Sequence, residues 1–147
     1  MPLDDTIRLR RTRFARDGLR LASVRAIVFI AEQRCPFAEE FDGLDEDAVH
    51  VLGEIRDEPV ACGRLRPLEP GTVKLERLAV LAELRGRGHG RALLEFMMAT
   101  ARTMGARTLT LNAQVQVVGL YEAAGFATQG AVFEEVGIAH LKMSRPA

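Results

Sequence analysis

The residues of this chain best suited to chemistry lie in Arg85-Gly86-Arg87-Gly88-His89-Gly90-Arg91, between an apolar run, Leu75 to Leu81, and an amphipathic segment reaching about Met104. Glycines at 86, 88 and 90 remove Cβ atoms where the backbone must turn tightly. The helix that follows offers unpaired N–H groups and a positive dipole end to an anion. Arg87 and Arg91 add charge of the same sign, so the segment reads as a phosphate-binding turn. It is not a Walker loop, because Arg91-Ala92 follows the last glycine where lysine and Ser or Thr are required. It is not the dinucleotide fingerprint either, because its third glycine arrives one residue early. The spacing that fits is Arg-x-x-Gly-x-Gly, on Arg85, Gly88 and Gly90. Taken alone, the motif also suits a tight structural turn at a helix start.

Other side chains invite weaker readings. The three histidines, His50, His89 and His140, lack the paired spacing of metal ligands, and no metal is expected. Cys35 and Cys62 are too few for a disulfide scaffold. The acidic run Glu39, Glu40, Asp42, Asp45, Glu46 and Asp47 could draw in a cationic substrate, but a solvated face is the first expectation, and the order of ligands in a calcium loop is missing. Arg8, Arg10, Arg11, Arg13 and Arg16 raise nucleic acid as a partner, yet no aromatic platform accompanies them. With 20 basic and 20 acidic side chains the 147-residue chain is neutral overall, which argues against nucleic acid and membrane surfaces alike. The N-terminus lacks the apolar run of a signal peptide, so a cytoplasmic location is expected.

One domain, 1–147, must position these groups. A first strand is expected over Thr6 to Arg10, then a helix capped by Asp17 whose apolar stripe is Leu19, Leu21, Val24, Ile27, Val28 and Ala31 and which stops before Pro36. Glu39 to Asp47 reads as a loop or short helix. Ala48 to Ile55 and Val60 to Leu65 form a hairpin through Arg56 to Pro59, and a further strand over Thr72 to Val80 delivers the chain to the glycine turn. Leu93, Leu94, Met97, Met98 and Ala101 recur at helical spacing up to Gly105, so these methionines are core. A strand from Thr108 to Asn112, a helix from about Val117 to Ala124, and two more strands from Phe126 to Met143 complete the chain. Strand, anion turn, helix, strand, helix is a βαβα unit with parallel strands.

The glycine turn, with Asn112 and Tyr121-Glu122-Ala123-Ala124-Gly125-Phe126 after it, resembles the GNAT superfamily of N-acetyltransferases. Arg25 to Phe37, Asp42, His50 and Phe133 to His140 resemble its ElaA-like branch. The resemblance implies a three-layer α/β/α domain with a mixed, centrally splayed β-sheet, and transfer of an acetyl group from acetyl-CoA to a primary amine of a small molecule. It places the pyrophosphate of the coenzyme on Arg85, Gly86, Arg87, Gly88, His89, Gly90 and Arg91. It places the pantetheine arm along the backbone of Leu78, Ala79 and Val80, with Asn112 beside that arm. An N–H of the same backbone would steady the oxyanion. Tyr121 would contact the coenzyme and protonate its leaving thiolate, and Glu76 or water would take the amine proton. Glu76 could equally be an ion-paired carboxylate beside Lys74 or Arg77. His50 and His140 would line the substrate pocket with Glu32 or Glu135. Acetylation of a protein lysine or N-terminus, a non-catalytic acyl-CoA sensor, and a site for another nucleotide are the alternatives, and pairing of sheet edges into a homodimer is open.

Overall fold

A computed structural model describes residues 4–147. Seven strands, β1 (Arg8–Thr12), β2 (Val49–Ile55), β3 (Glu58–Pro67), β4 (Thr72–Val80), β5 (Thr108–Gln114), β6 (Ala127–Glu135) and β7 (Ile138–Pro146), form one sheet in the order β1-β2-β3-β4-β5-β7-β6. Every neighbouring pair is antiparallel except β4 and β5, the expected parallel pair. Two tight turns close the hairpins: Arg56-Asp57, at φ 49° and 65°, joins β2 to β3, and Val136-Gly137, at φ 53° and 73°, joins β6 to β7.

Strand alternation sends side chains to two separate apolar clusters, one on each face of the sheet. On one face Val51, Leu65, Val73 and Leu75 pack under Leu93, Leu94, Met97 and Met98 of helix α3 (His89–Thr103). A Cβ added at Gly63 would stand 2.3 Å from the Met97 sulfur, so glycine there lets α3 lie close to β3. On the other face Leu52, Cys62 and Ala79 pack under Leu21, Val24 and Val28 of helix α1 (Phe14–Arg25) and its continuation, a π-helical stretch over Ala26–Glu32. Short helices α2 (Phe37–Glu40) and α4 (Val118–Ala123) flank the sheet ends. The three-layer mixed α/β architecture is therefore the expected one. No helix among the described residues is long and apolar enough to cross a membrane.

Three local expectations are corrected. The first strand runs two residues later than Thr6 to Arg10. Asp17 does not open α1: the helix starts at Phe14, and Asp17 breaks its geometry at φ −121°, ψ 24° while its carboxylate takes hydrogen bonds from Arg10 and Thr12. The apolar stripe is narrower than read, with Leu19 89% and Ile27 51% exposed and Ala31 also exposed. The break at Asp17 and the wider turns after Arg25 rotate the helical register, so residues a uniform 3.6-residue period would bury face solvent.

Candidate active site

Parallel pairing of β4 with β5 covers only Thr72 to Lys74 against Thr108 to Thr110, and beyond Lys74 the two strands part like the arms of a V. A bulge in β4 accompanies the split. Glu76 pairs with Arg64 and Ala79 with Cys62, so Gly63 alone faces both Arg77 and Leu78. Arg77 takes a left-handed φ of 57° to make the bulge, a conformation that non-glycine residues hold only when their surroundings enforce it. The β5-facing edge of β4 from Glu76 to Val80 is thereby left without a partner strand.

Two cavities open along this cleft and meet. One, of about 460 Å³, lies between Leu78, Ala79 and Val80, the glycine turn at Gly86 and Gly90, and Leu120. The other, of about 490 Å³, is walled by Lys74 and Glu76, Asn112, the acidic segment, and Glu135 and His140 of the β6–β7 hairpin. Phe29, Gln33, Leu78, Gln114, Val117 and Tyr121 line both. The Tyr121 ring is 7% exposed and sits edge-on to Phe126 at 6.1 Å. Burial alone pushes its phenol up to about 12.

At the outer end of the first cavity, Gly86 and Gly88 adopt φ 78° and 85°. A Cβ on either would meet no atom within 4 Å, so the backbone faces open space. Gly88 precedes α3, whose start carries no side-chain cap, and the first helical bond runs from Ala92 N–H to the Gly88 carbonyl. The N–H groups of His89, Gly90 and Arg91 therefore lack intrahelical partners. With no acidic residue in that first turn, these groups fit a pyrophosphate. Arg87 is exposed at the turn, whereas the Arg91 guanidinium is paired with Glu95 at 3.1 Å.

Arg85 departs from a simple phosphate ligand. Its Nε donates to the Val80 carbonyl at 2.9 Å and its guanidinium forks onto Glu32 at 2.6 and 2.8 Å, tying the π-helical stretch to the end of β4. Glu32 is accordingly on the glycine-turn side of the cleft and not in the second cavity with Glu135. Asn112 moves the opposite way, lining the second cavity and not the first.

The histidines separate. His50 is 1% exposed, with Nε2 donating to the Asp45 carbonyl at 2.8 Å and its ring 5.6 Å from Phe14. Burial pushes its pKa down, so it is a neutral structural residue away from the cavity where it was expected. His140 does line the cavity; Nδ1 donates to the Ile138 carbonyl at 2.7 Å, Nε2 lies 3.8 Å from Glu135, and the ring stacks on Phe133. His89 begins α3, and its backbone N–H is one of those left without an intrahelical partner.

The acidic segment is the largest departure from expectation. Glu40 and Asp45 are 2% and 6% exposed, and with Asp42 they close on buried arginines. Arg25 donates to Glu40 and Asp45 at 2.7 and 2.6 Å, and Arg64 to Asp42 and Asp45 at 2.8 and 2.9 Å. Arg77 reaches back from the bulge to the Glu39 and Glu40 carbonyls, and its Nε, 3.0 Å from the Glu40 carboxylate, lies off the hydrogen-bonding direction. Glu76 joins the same network through Arg64 at 2.9 Å, Arg66, and Lys74 at 3.5 Å. Burial opposes its charge, but Arg66, Arg64 and Lys74 outweigh burial and hold the carboxyl below its usual range. It is an ion-paired residue, half-buried, with Lys74 and not Arg77 as its partner of the two expected. Glu39, Glu46 and Asp47 are the solvated members of the run.

Sequence reasoning missed Phe29, Gln33 and Gln114. Gln33 and Gln114 are joined across the cleft by an amide hydrogen bond of 3.0 Å. No local signal marks either one, since the π-helical stretch that turns Phe29 and Gln33 inward has no residue signature. Among the described residues no three His, Cys, Asp or Glu side chains converge as a metal site.

The acetyltransferase (GNAT) domain model matches residues 25–146. The chain is 36% identical over 123 residues to the uncharacterized N-acetyltransferase YjcF of Bacillus subtilis, covering 83% of this chain and 87% of that one. It is 34% identical over 131 residues to the protein ElaA of Escherichia coli, covering 85% of this chain and 84% of that one. The crystal structure of Escherichia coli ElaA superposes with a TM-score of 0.86 at 29% identity, covering 95% of this chain and 99% of that one. A Bacillus subtilis acetyltransferase solved in complex with CoA shares the fold at a TM-score of 0.74 and 18% identity, over 97% and 99% of the two chains. An uncapped helix after a glycine turn, a strand pair split at its centre and a buried tyrosine between two cavities are thus set in a matching framework, and the chain belongs to the GNAT acetyltransferase family, in its ElaA-like branch, and is an acyltransferase.

Proposed function

We propose that the protein transfers an acetyl group from acetyl-CoA to a primary amine of a small molecule by direct attack, with both substrates held in the cleft at once. The observation that carries this reading is the position of Tyr121 at the junction of the two cavities. One cavity runs from the anion turn to Tyr121 and suits the coenzyme; the other runs from Tyr121 to a polar, charged floor and suits the acceptor. Acetyl-CoA, when bound, supplies the activated acyl carbon.

The chain's own residues do the rest. The free edge of β4 over Leu78, Ala79 and Val80 takes the pantetheine arm as an added strand. Gly86, Gly88 and the first N–H groups of α3 take the pyrophosphate. A backbone N–H in the same stretch of β4 steadies negative charge growing on the carbonyl oxygen. As the new N–C bond forms and the C–S bond breaks, the Tyr121 hydroxyl gives its proton to the departing sulfur. Burial keeps that phenol protonated at every ordinary pH, so the donor form is always present. Glu76, held charged by three cations, is a poor proton acceptor; it anchors Arg64, Arg66 and Lys74 while the amine releases its proton to water in the open cavity.

The test is Tyr121→Phe. Turnover, followed as thiol release, is expected to fall about a hundredfold or more while affinity for acetyl-CoA changes little. Full turnover in the variant discards the proton-donor role.

A further inference from the structure

The ion-pair network under the acceptor cavity does not balance. Arg25, Arg64, Arg66, Arg77 and Lys74 are linked into one connected set with Glu40, Asp42, Asp45 and Glu76, five cations against four carboxylates. Charges removed from water are costly unless paired, so the surplus should emerge where the set meets solvent. Arg25 and Arg64 are sealed at 1% exposure, whereas the Arg66, Lys74 and Arg77 side chains are 23%, 21% and 21% exposed and all line the cavity. Arg77 reaches two carboxylates, Glu40 and Asp42, which leaves the surplus on Arg66 and Lys74. Arg66 and Lys74 share one carboxylate, Glu76, which Arg64 also contacts, and Lys74 is its most distant partner.

Lys74 also marks the apex of the V, the last residue of β4 paired with β5. Leu78, beside Tyr121 on the wall common to both cavities, is four residues further along β4. At roughly 3.3 Å per residue, less the bulge and the reach of the lysine side chain, the ammonium and the transfer point are on the order of 7 to 10 Å apart.

Resting on the acyltransferase reading of this cleft, we infer that the acceptor is an amino-carboxylate. Its carboxylate pairs with Lys74 and Arg66 at the apex, and its primary amine, about three to four methylene groups away once an ion-pair contact of about 2.8 Å is allowed for, lies beside Leu78 and Tyr121. The amine nitrogen takes the acetyl group from sulfur, giving the N-acetylamino acid and free coenzyme A, and one proton leaves the ammonium for water. Glu39 and Glu135 stand at the rim of the same cavity and favour the amine end as its cationic form approaches.

The experiment compares thiol release from acetyl-CoA with 5-aminopentanoate, pentylamine and 1,5-diaminopentane. The wild-type protein is expected to prefer 5-aminopentanoate over pentylamine by about tenfold or more in kcat/KM, the scale of one charged hydrogen-bonded contact. Lys74→Met should reduce that preference about tenfold, mainly through KM for the amino acid, and Lys74→Arg should keep it. Acetyl-CoA affinity, measured in each variant, reports that the fold and the coenzyme site are intact. Equal or better use of pentylamine or the diamine overturns the inference, as does a preference that survives Lys74→Met. Binding of acetyl-CoA without thiol release to any of the three also overturns it and leaves the coenzyme site standing; loss of acetyl-CoA binding in the wild-type protein overturns the acyltransferase reading of the cleft itself.

Discussion

Replacing Arg25 by methionine isolates the part of the network that holds the acidic wall of the second cavity in place. The side chain is 1% exposed and makes three short bonds, from Nε to the Glu40 carboxylate at 2.7 Å, from Nη1 to Asp45 at 2.6 Å and from Nη2 to the Glu40 carbonyl at 2.7 Å. Its guanidinium also lies 4.8 Å from the centre of the Phe41 ring. Methionine fills much of the volume but leaves Glu40 buried with only Arg77 near its carboxylate. Removing one partner of a buried ion pair costs about 3–5 kcal/mol, which for a chain of this size lowers Tm by about 6–20 °C. The cost should depend on pH. Burial already pushes the Glu40 carboxyl up against the pull of Arg77, Arg25 and Arg64, and losing Arg25 raises it further. A group whose folded pKa lies above its unfolded value stabilises the fold fully below the unfolded pKa and loses that contribution as pH rises through the folded pKa. The variant should therefore lose more stability at pH 8 than at pH 5, because lowering the pH favours the protonated form of the buried Glu40. Urea unfolding at the two pH values measures this directly. A loss under about 1 kcal/mol, or one independent of pH, would refute the view that these charges are tightly paired and dry.

Tyr121 is the chain's only tyrosine and no tryptophan is present, so tyrosinate absorbance reads this one residue. Its midpoint in the folded protein should lie near 12, well above the ordinary value of about 10, and stability should decline as pH rises between those values; a midpoint at 10 in folded protein contradicts its burial. Gly88→Val should weaken acetyl-CoA binding about tenfold or more, because a β-branched residue cannot readily hold φ 85° and its side chain would enter the space the phosphates need; unchanged affinity by calorimetry removes the turn from the site. Glu76→Gln should lower stability without deleting an acidic limb from the pH–rate profile; disappearance of such a limb would restore Glu76 as the proton acceptor.

What the sequence revealed was local. The β4 boundaries, Thr72 to Val80, follow from alternation ended by Gly71 and by the glycine turn, and the α3 core face follows from a clean helical repeat. Tyr121 was singled out through the family resemblance, and it sits on the short helix that Gly125 and Phe126 follow. The acidic segment was not, since pairing of Glu40 and Asp45 with Arg25 and of Asp42 and Asp45 with Arg64 joins positions 15 to 22 residues apart. Nothing in a run of carboxylates says which will be buried. The same holds for His50, whose partner is a backbone carbonyl. Glu32 was assigned to the wrong side of the cleft because the π-helical stretch changes the direction in which its side chain points.

The central claim is that the first cavity and its glycine turn hold acetyl-CoA, and isothermal titration of the protein with acetyl-CoA, alongside ATP and NAD, tests it most directly. The account predicts saturable one-site binding of acetyl-CoA and markedly weaker binding of the other two. Absence of acetyl-CoA binding, or equal binding of ATP or NAD, would contradict it.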